Sequence, residues 1–545
     1  MSESKPWWQT AVFYQIYPRS FADSNDDGIG DLPGIIGKLD YIADLGIDAL
    51  WISPIYPSPM ADNGYDVSDY TGIGPEFGTM EDFKALLVEA HKRDIRVILD
   101  LVLNHTSNEH PWFLEASSSR DDPKRDWYIW HDGRPGNPPR PPNNWRASFG
   151  GRAWEWDPRT RQYYLHSFTS EQPDVNWRNL QLREAIYNVL RFWLDLGVDG
   201  FRLDVVNWFV HDDQFRSNPC KLGRRPYDMQ RHIYDRNHPL NIEVMKEIRA
   251  VVDSYPDKMT VGEVFTEPPG DPDLVLQYYG QGKGLHSAFN FAFLYCKWDP
   301  ACFASVVEQW EAALGPDLWP VYTLSNHDNP RAASRYGKKD ETLPRARVAA
   351  AMLLTLRCTP FLYYGEEIGM CDGRIPRSEL RDPVGIRYWP FNPGRDPART
   401  PMQWDDSRNA GFSSADPWLP VNADYPQVNV AAQEQDEDSL LHWYRRLLYL
   451  RRGQPALQKG AYRTIKADSN TYVFERCYNG RQIVVALNFT NRAQAIQLPV
   501  TAMWELLLGY PSPQSDNILK SNITLPPYAV LIVHRKPAQQ PDKSE

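Results

Sequence analysis

Three acidic residues stand where short apolar segments end: Asp204 in GFRLDVVNW, Glu263 in GEVF and Asp328 in SNHDNPR. Asp100, Asn104 and His105 hold the same place in DLVLNH, and His327 precedes Asp328. A single acid at such a position is more often a turn or cap residue. Three together, accompanied by Arg202, His105 and His327, are expensive to bring close unless protonation or cations neutralise them, and such groupings occur mostly where function needs them. Two carboxyls are what glycosidic cleavage requires. One acts as nucleophile or base, and the other, kept protonated, donates to the leaving oxygen. Arg202 and Asp204 are two residues apart and share one face of a strand, so the guanidinium favours an ionised Asp204. Val264 and Phe265 give Glu263 an apolar setting that favours its acid form.

These groups meet only if the segments carrying them converge. Eight β-prone apolar segments recur at 11–18, 49–55, 96–104, 198–206, 260–265, 287–293, 321–326 and 360–365. Amphipathic helical stretches alternate with them at 35–45, 80–93, 182–196, 242–254, 303–313, 345–356 and 439–452, and 273–279 is the poorest helical match. Apolar strands alternating with helices imply parallel strands covered by helices, and eight such units imply a closed (β/α)8 TIM barrel. The barrel takes residues 1–104 and 181–457. Residues 105–180, with RPGNPPRPPNNW and WEWDPRTRQYYLHSF, form an inserted lobe after strand three, and a second long insertion runs from about 366 to 436. Both leave C-terminal strand ends, the face on which barrel enzymes work. From 458 to 545 alternating segments broken by turn signals predict an antiparallel β domain, ending in a mobile polar tail, PAQQPDKSE.

Composition narrows the setting. The 545 residues are 42% hydrophobic and 24% charged, a soluble globular balance. A formal charge of −11 argues against nucleic acid or an anionic membrane as partner. No apolar run reaches membrane-spanning length, and MSESKPWWQT lacks a secretory apolar core, so a cytoplasmic protein is expected. Six scattered cysteines without CxxC spacing read as free thiols. A monomer or homodimer is expected.

DLVLNH, GFRLDVVNW, GEVF and SNHDNPR, in that order, resemble the four signature regions of the α-amylase family of glycoside hydrolases (family 13). AVFYQIYPRSF, QPDVNW and the C-terminal β domain extend the resemblance over essentially the whole chain. NGYDVSDY, EQPDVNW and RTPMQW are most similar to the α-glucosidase and oligo-1,6-glucosidase branch. The resemblance implies a retaining double displacement with Asp204 as nucleophile, Glu263 as general acid/base and Asp328 as the carboxylate that holds the sugar's 2- and 3-hydroxyls. It also implies that Arg202, His105 and His327 line the pocket and that Asp62, Tyr65 and Arg399 close its blind end around the terminal glucose. Phe168 and Phe149 match aromatics on the pocket wall, with ordinary packing as the alternative. Val205 follows the nucleophile. In that branch a Val there goes with acceptance of α-1,6 links, and the alternative is packing behind the strand.

A second motif lies near the start. Asp23, Asn25, Asp27 and Asp31 fall at positions 1, 3, 5 and 9 of an EF-hand-like loop, with Gly28 at 6 and the Ile29 carbonyl at 7. Position 12 is Gly34 rather than Glu, and two flanking helices are missing, so an Asx-rich turn is the alternative. Related α-glucosidases carry Ca²⁺ or Mg²⁺ there. The ion would be structural, since the chemistry needs no metal. The expected function is exo-acting release of α-glucose from short substrates such as maltose, isomaltose-type sugars or sucrose. A glucosyltransferase or sucrose isomerase using the same intermediate is the alternative. A catalytically dead scaffold would be expected to have lost the carboxylates, and an endo-amylase needs an open cleft rather than a closed pocket.

Overall fold

The structure is a computed structural model that describes residues 5–136, 139–499, 503–511, 518–519 and 521–535. Eight parallel strands carry the first part of the fold: β1 (Phe13–Ile16), β2 (Ala49–Ile52), β3 (Arg96–Leu101), β4 (Gly200–Leu203), β5 (Met259–Gly262), β6 (Ser287–Ala288), β7 (Val321–Thr323) and β8 (Thr359–Tyr363). They pair in the order β7-β8-β1-β2-β3-β4-β5-β6. A parallel bridge from Phe289 to Val321 joins the two ends and closes the barrel. Apart from half-buried Arg96, every residue of these strands is buried, as expected for a sheet lined inside and covered outside. Phe13, Trp51, Ile98, Val261, Phe289 and Phe361 fill the interior, and Phe13 stacks on Phe361 with ring centroids 4.4 Å apart. A larger cluster seals strands against helices, including Leu86, Ile186, Trp193, Ile248 and Leu353.

Local signals set the helices. Thr79 and Asp82 form a reciprocal capping box at the start of Met80–His91, and Asn179 caps Leu180–Asp195. Three sequence expectations shift. The segment 287–293 is strand for only two residues. Asn290 then accepts from the Phe293 N–H and starts a helix at Phe291–Tyr295. Periodicity cannot separate a short buried strand from a buried helical turn, and here the cap decides. The weak match at 273–279 is a helix, Pro272–Tyr279, with Asp271 as N-cap and proline in the first turn. The stretch 35–45 divides into Leu32–Ile36 and Leu39–Leu45 around Gly37 and Lys38.

After β3 the chain forms a helix, Pro111–Ala116, and a three-stranded antiparallel sheet in which Gln162–Leu165 lies between Trp130–His131 and Trp154–Asp157. After β8 come short helical turns at Glu366–Ile368, Pro383–Tyr388 and Asp396–Arg399. The last part is a six-stranded antiparallel sheet in the order Ala461–Ala467, Thr471–Tyr478, Arg481–Asn488, Val530–Arg535, Trp504–Tyr510 and Ile518–Leu519. Its Tyr472 and Phe474 join the barrel's outer core, and Trp298 Nε1 donates to the Phe489 carbonyl at 2.9 Å. The expected mobile tail at 537–545 lies outside the described residues. Among the described residues no helix is long and apolar enough to cross a membrane.

Candidate active site

Asp204 and Glu263 each follow the last residue of a strand, β4 and β5, so their side chains leave the barrel's C-terminal rim side by side. Arg202 lies beneath them. Its Nη1 donates to Asp204 Oδ1 at 2.7 Å and to Asp100 Oδ1 at 2.7 Å, and its Nη2 lies 2.5 Å from Glu263 Oε1. The guanidinium is fully buried and packs under Trp51, 5.0 Å from the ring centre. One positive charge therefore serves three buried carboxyls. Burial pushes Glu263 up to about 7 against the pull of Arg202. Burial also raises Asp204 well above the usual carboxylate range, again against Arg202. Adjacency alone suggested an ionised Asp204, but Arg202 is divided among three acids and desolvation prevails. One proton held by the pair would leave one carboxylate and one acid, the combination that acid-assisted attack uses.

Asp328, beyond β7, is the opposite case. Burial works against its ionisation, and cations overcome that. Arg399 Nη2 donates to Oδ1 at 2.9 Å and Arg395 Nη1 reaches it at 3.5 Å, which hold the carboxyl well below the usual range. His327 lies underneath, fully buried and kept neutral by burial. Gln15 Nε2 donates to its Nδ1 at 2.7 Å, so the ring proton sits on Nε2, 2.6 Å from the Tyr65 hydroxyl. Tyr65 in turn donates to Asp100 Oδ2 at 2.9 Å. His105 is also neutral, pushed down to about 4 by burial, with Nε2 donating to the Tyr65 carbonyl at 3.0 Å. These histidines orient polar groups and carry no charge at neutral pH.

A pocket of about 450 Å³ opens above these groups, within the range of small-molecule sites. Of the residues singled out in the sequence, Asp62, Tyr65, His105, Phe149, Phe168, Asp204, Val205, Glu263 and Asp328 line it. Arg202, His327 and Arg399 stand behind its wall. Phe149 and Phe168 meet edge to face, with centroids 5.3 Å apart. Val205 packs with Phe168, Trp208 and Tyr227. It lies in the left-handed region, at φ 37°, ψ 46°, an uncommon conformation for a β-branched residue. Of the three residues expected at the blind end, Asp62 and Tyr65 line the pocket and Arg399 stands behind it. Asp62 pairs with Arg395, whose Nη2 also bonds Asp382 Oδ1 at 2.6 Å and whose guanidinium lies 4.6 Å from the Phe149 ring centre. Arg399, one turn later, instead buttresses Asp328 and donates from Nε to the His327 carbonyl at 2.8 Å. Sequence reasoning also passed over Gln15, Trp51, Arg395 and Gln172, whose Nε2 donates to Asp62 Oδ2 at 3.1 Å. Gln15 carried a signal, a polar residue inside an apolar strand. Arg395 sits in a long connection without periodicity and carried none.

The pattern described as Alpha amylase, catalytic domain, matches residues 15–460, which run from within β1 through β8 and include the pocket and both long connections. The chain belongs to the α-amylase family. It is a glycoside hydrolase. It is 44% identical over 513 residues to a probable alpha-glucosidase of Rhizobium meliloti (strain 1021), covering 92% of each chain. It is 41% identical to an oligo-1,6-glucosidase of Parageobacillus thermoglucosidasius, covering 90% of this chain and 92% of that one. A crystal structure of an alpha-glucosyl transfer enzyme superposes with a TM-score of 0.92 at 41% identity, covering 98% of this chain and 100% of that one. Membership of the α-amylase family accords with a barrel whose carboxyls gather at the C-terminal rim.

The loop at 23–31 curls on itself. Asp23 accepts backbone N–H groups from Asn25, Asp26 and Gly28 at 2.8–3.0 Å, Asn25 accepts from Asp27 at 3.1 Å and Asp27 from Ile29 at 2.8 Å. Asp31 is buried and caps the helix Leu32–Ile36 through the Gly34 N–H. Among the described residues no three His, Cys, Asp or Glu side chains gather as a metal cluster. A cation here would therefore depend also on Asn25 and the Ile29 carbonyl. This all-oxygen donor set of carboxylate, amide and carbonyl suits a hard divalent ion.

Proposed function

We propose that this glycoside hydrolase is a retaining, exo-acting α-glucosidase that releases α-glucose from the non-reducing end of short α-glucosides. The observation that carries the reading is a pocket in which two raised, Arg202-linked carboxyls face an ionised Asp328, with the Asp62–Arg395 pair in its wall. A terminal glucose seats with its hydroxyls toward Asp328, Asp62 and His105. Asp204 attacks the anomeric carbon while Glu263 gives its proton to the leaving oxygen, forming a glucosyl ester and a free sugar. Glu263, now a carboxylate, takes a proton from water, whose oxygen attacks the same carbon and frees Asp204. Two inversions return the α-anomer. Maltose, isomaltose-type sugars and sucrose are the proposed substrates, and the likeness to an oligo-1,6-glucosidase supports an isomaltose-type choice. The measurement is chromatography of products from maltose, isomaltose, sucrose, trehalose and starch. Glucose from the disaccharides with little attack on starch is expected, and rapid release of long fragments from starch would overturn the exo reading.

A second reading uses the same intermediate with a sugar or other hydroxyl replacing water, and the likeness to an alpha-glucosyl transfer enzyme favours it. New glycosides in the same chromatograms would identify it. We also propose a structural Ca²⁺ or Mg²⁺ on the loop of Asp23, Asn25, Asp27, Ile29 and Asp31, outside the chemistry. Six free thiols suit a reducing compartment, and we place the protein in the cytoplasm as a monomer or homodimer.

A further inference from the structure

Four arginines line a second hollow of about 430 Å³ on the inserted lobe: Arg134, Arg140, Arg146 and Arg152. They come as two cross-strand pairs. Arg134 and Arg140 face each other across an antiparallel bridge and exchange backbone hydrogen bonds at 2.7 and 3.0 Å. Arg146 and Arg152 face each other across another. Like charges placed directly opposite on paired strands repel, so either pair alone is unfavourable. All four line the same hollow, whose lining among the described residues contains no carboxylate, although Arg152 also borders a neighbouring hollow with Glu155 and Glu171; Asn143, Asn144 and Gln230 supply the remaining polar groups. Elsewhere in this acidic chain most arginines are matched with acids, as Arg216 is with Asp212 and Arg225 with Asp228. Among the described residues none of the four has a carboxylate within salt-bridge distance. Only Arg134 is anchored, by Nε donating to the Pro141 carbonyl at 2.9 Å.

A guanidinium offers a planar fork of donors that matches phosphate oxygens two at a time, and four of them around a concave site lower the repulsion only when an anion sits between them. We propose that this hollow binds a phosphate group, carried either by an inorganic phosphate or by a small phosphorylated sugar. The size of the hollow is that of a small-molecule site, and the net charge of −11 disfavours a long polyanion spread over the surrounding surface. The hollow shares no lining residue with the pocket that holds Asp204 and Glu263, and none of its arginines pairs with those acids.

The test is isothermal titration calorimetry of the full chain with inorganic phosphate and, separately, glucose 1-phosphate, for the wild type and for Arg146→Gln/Arg152→Gln. Saturable one-to-one binding, weakened about tenfold in the double variant, is expected. The inorganic phosphate arm reports the phosphate group alone. Tighter binding of glucose 1-phosphate assigns a phosphorylated sugar, and equal or weaker binding assigns the inorganic ion. Unchanged glucoside hydrolysis by the variant shows that it is folded. Absence of heat with both probes, equal affinity in wild type and variant, or binding seen only with heparin would overturn the proposal.

Discussion

At the scale of single residues, one guanidinium is shared among three acids. Arg202 holds Asp100, Asp204 and Glu263 together, so a proton must accompany them, and the raised pair supplies it. Replacing Asp204 with Asn keeps the shape and removes the nucleophile. Turnover should fall by roughly four to six orders of magnitude with glucoside binding largely kept, as read by kcat and by equilibrium binding. Normal turnover would exclude the role. Glu263 must be protonated to act as acid, and its pKa is raised to about 7, so kcat/KM should decline as pH rises through about 7. Glu263→Gln should abolish that alkaline limb and be least damaging with a nitrophenyl leaving group that needs no proton. Val205 offers a narrower test. Its left-handed backbone is strained by about 1–3 kcal/mol, and Thr, also β-branched, keeps that strain while replacing a methyl with a hydroxyl. Val205→Thr should therefore lower the isomaltose-to-maltose ratio of kcat/KM without loss of melting temperature. An unmoved ratio would assign Val205 to packing alone.

At the scale of elements, the strand ends place the chemistry and the long connections shape it. The strand ends were legible because apolar segments end abruptly in Asp, Glu, His or Asn, and a closed barrel leaves those residues nowhere to go but one rim. The eighth-strand connection was not legible in detail. It owes its shape to ion pairs such as Arg395 with Asp62 and Asp382 rather than to any period, so Arg395 was not singled out. Segment 287–293 went astray for a related reason, since one side-chain bond from Asn290 turned an apolar run into a helix. The connection's proposed task yields a prediction. Arg395→Ala removes the partner of Asp62 and one cation beside Asp328, so KM for maltose should rise by about tenfold or more, with a smaller fall in kcat. A variant with unchanged KM would leave the pair structural.

At the scale of the whole molecule, the β domain was expected from a change of period and the inserted lobe from a connection too long for a barrel loop, whereas contacts between parts, such as Trp298 with Phe489, were not legible, because they join segments far apart in sequence. The loop at 23–31 is where a global property meets a local motif. An ion held only by the folded protein stabilises it by mass action. Chelation should lower the melting temperature while leaving glucoside hydrolysis at low temperature intact, and Asp23→Ala should reproduce the shift. An unchanged melting curve in excess chelator would leave the Asx-turn reading. The central claim, that Asp204 and Glu263 carry out two successive displacements, concerns the protein acting as a complete enzyme. Its most direct test is proton NMR of a fresh digest of a nitrophenyl α-glucoside, whose leaving group adds no anomeric signal, followed from the first minutes before mutarotation blurs the anomers. The account predicts that α-glucose appears first, with β-glucose growing in later from the free sugar. β-Glucose as the first new product of the cleaved non-reducing unit would mean a single displacement and would contradict it.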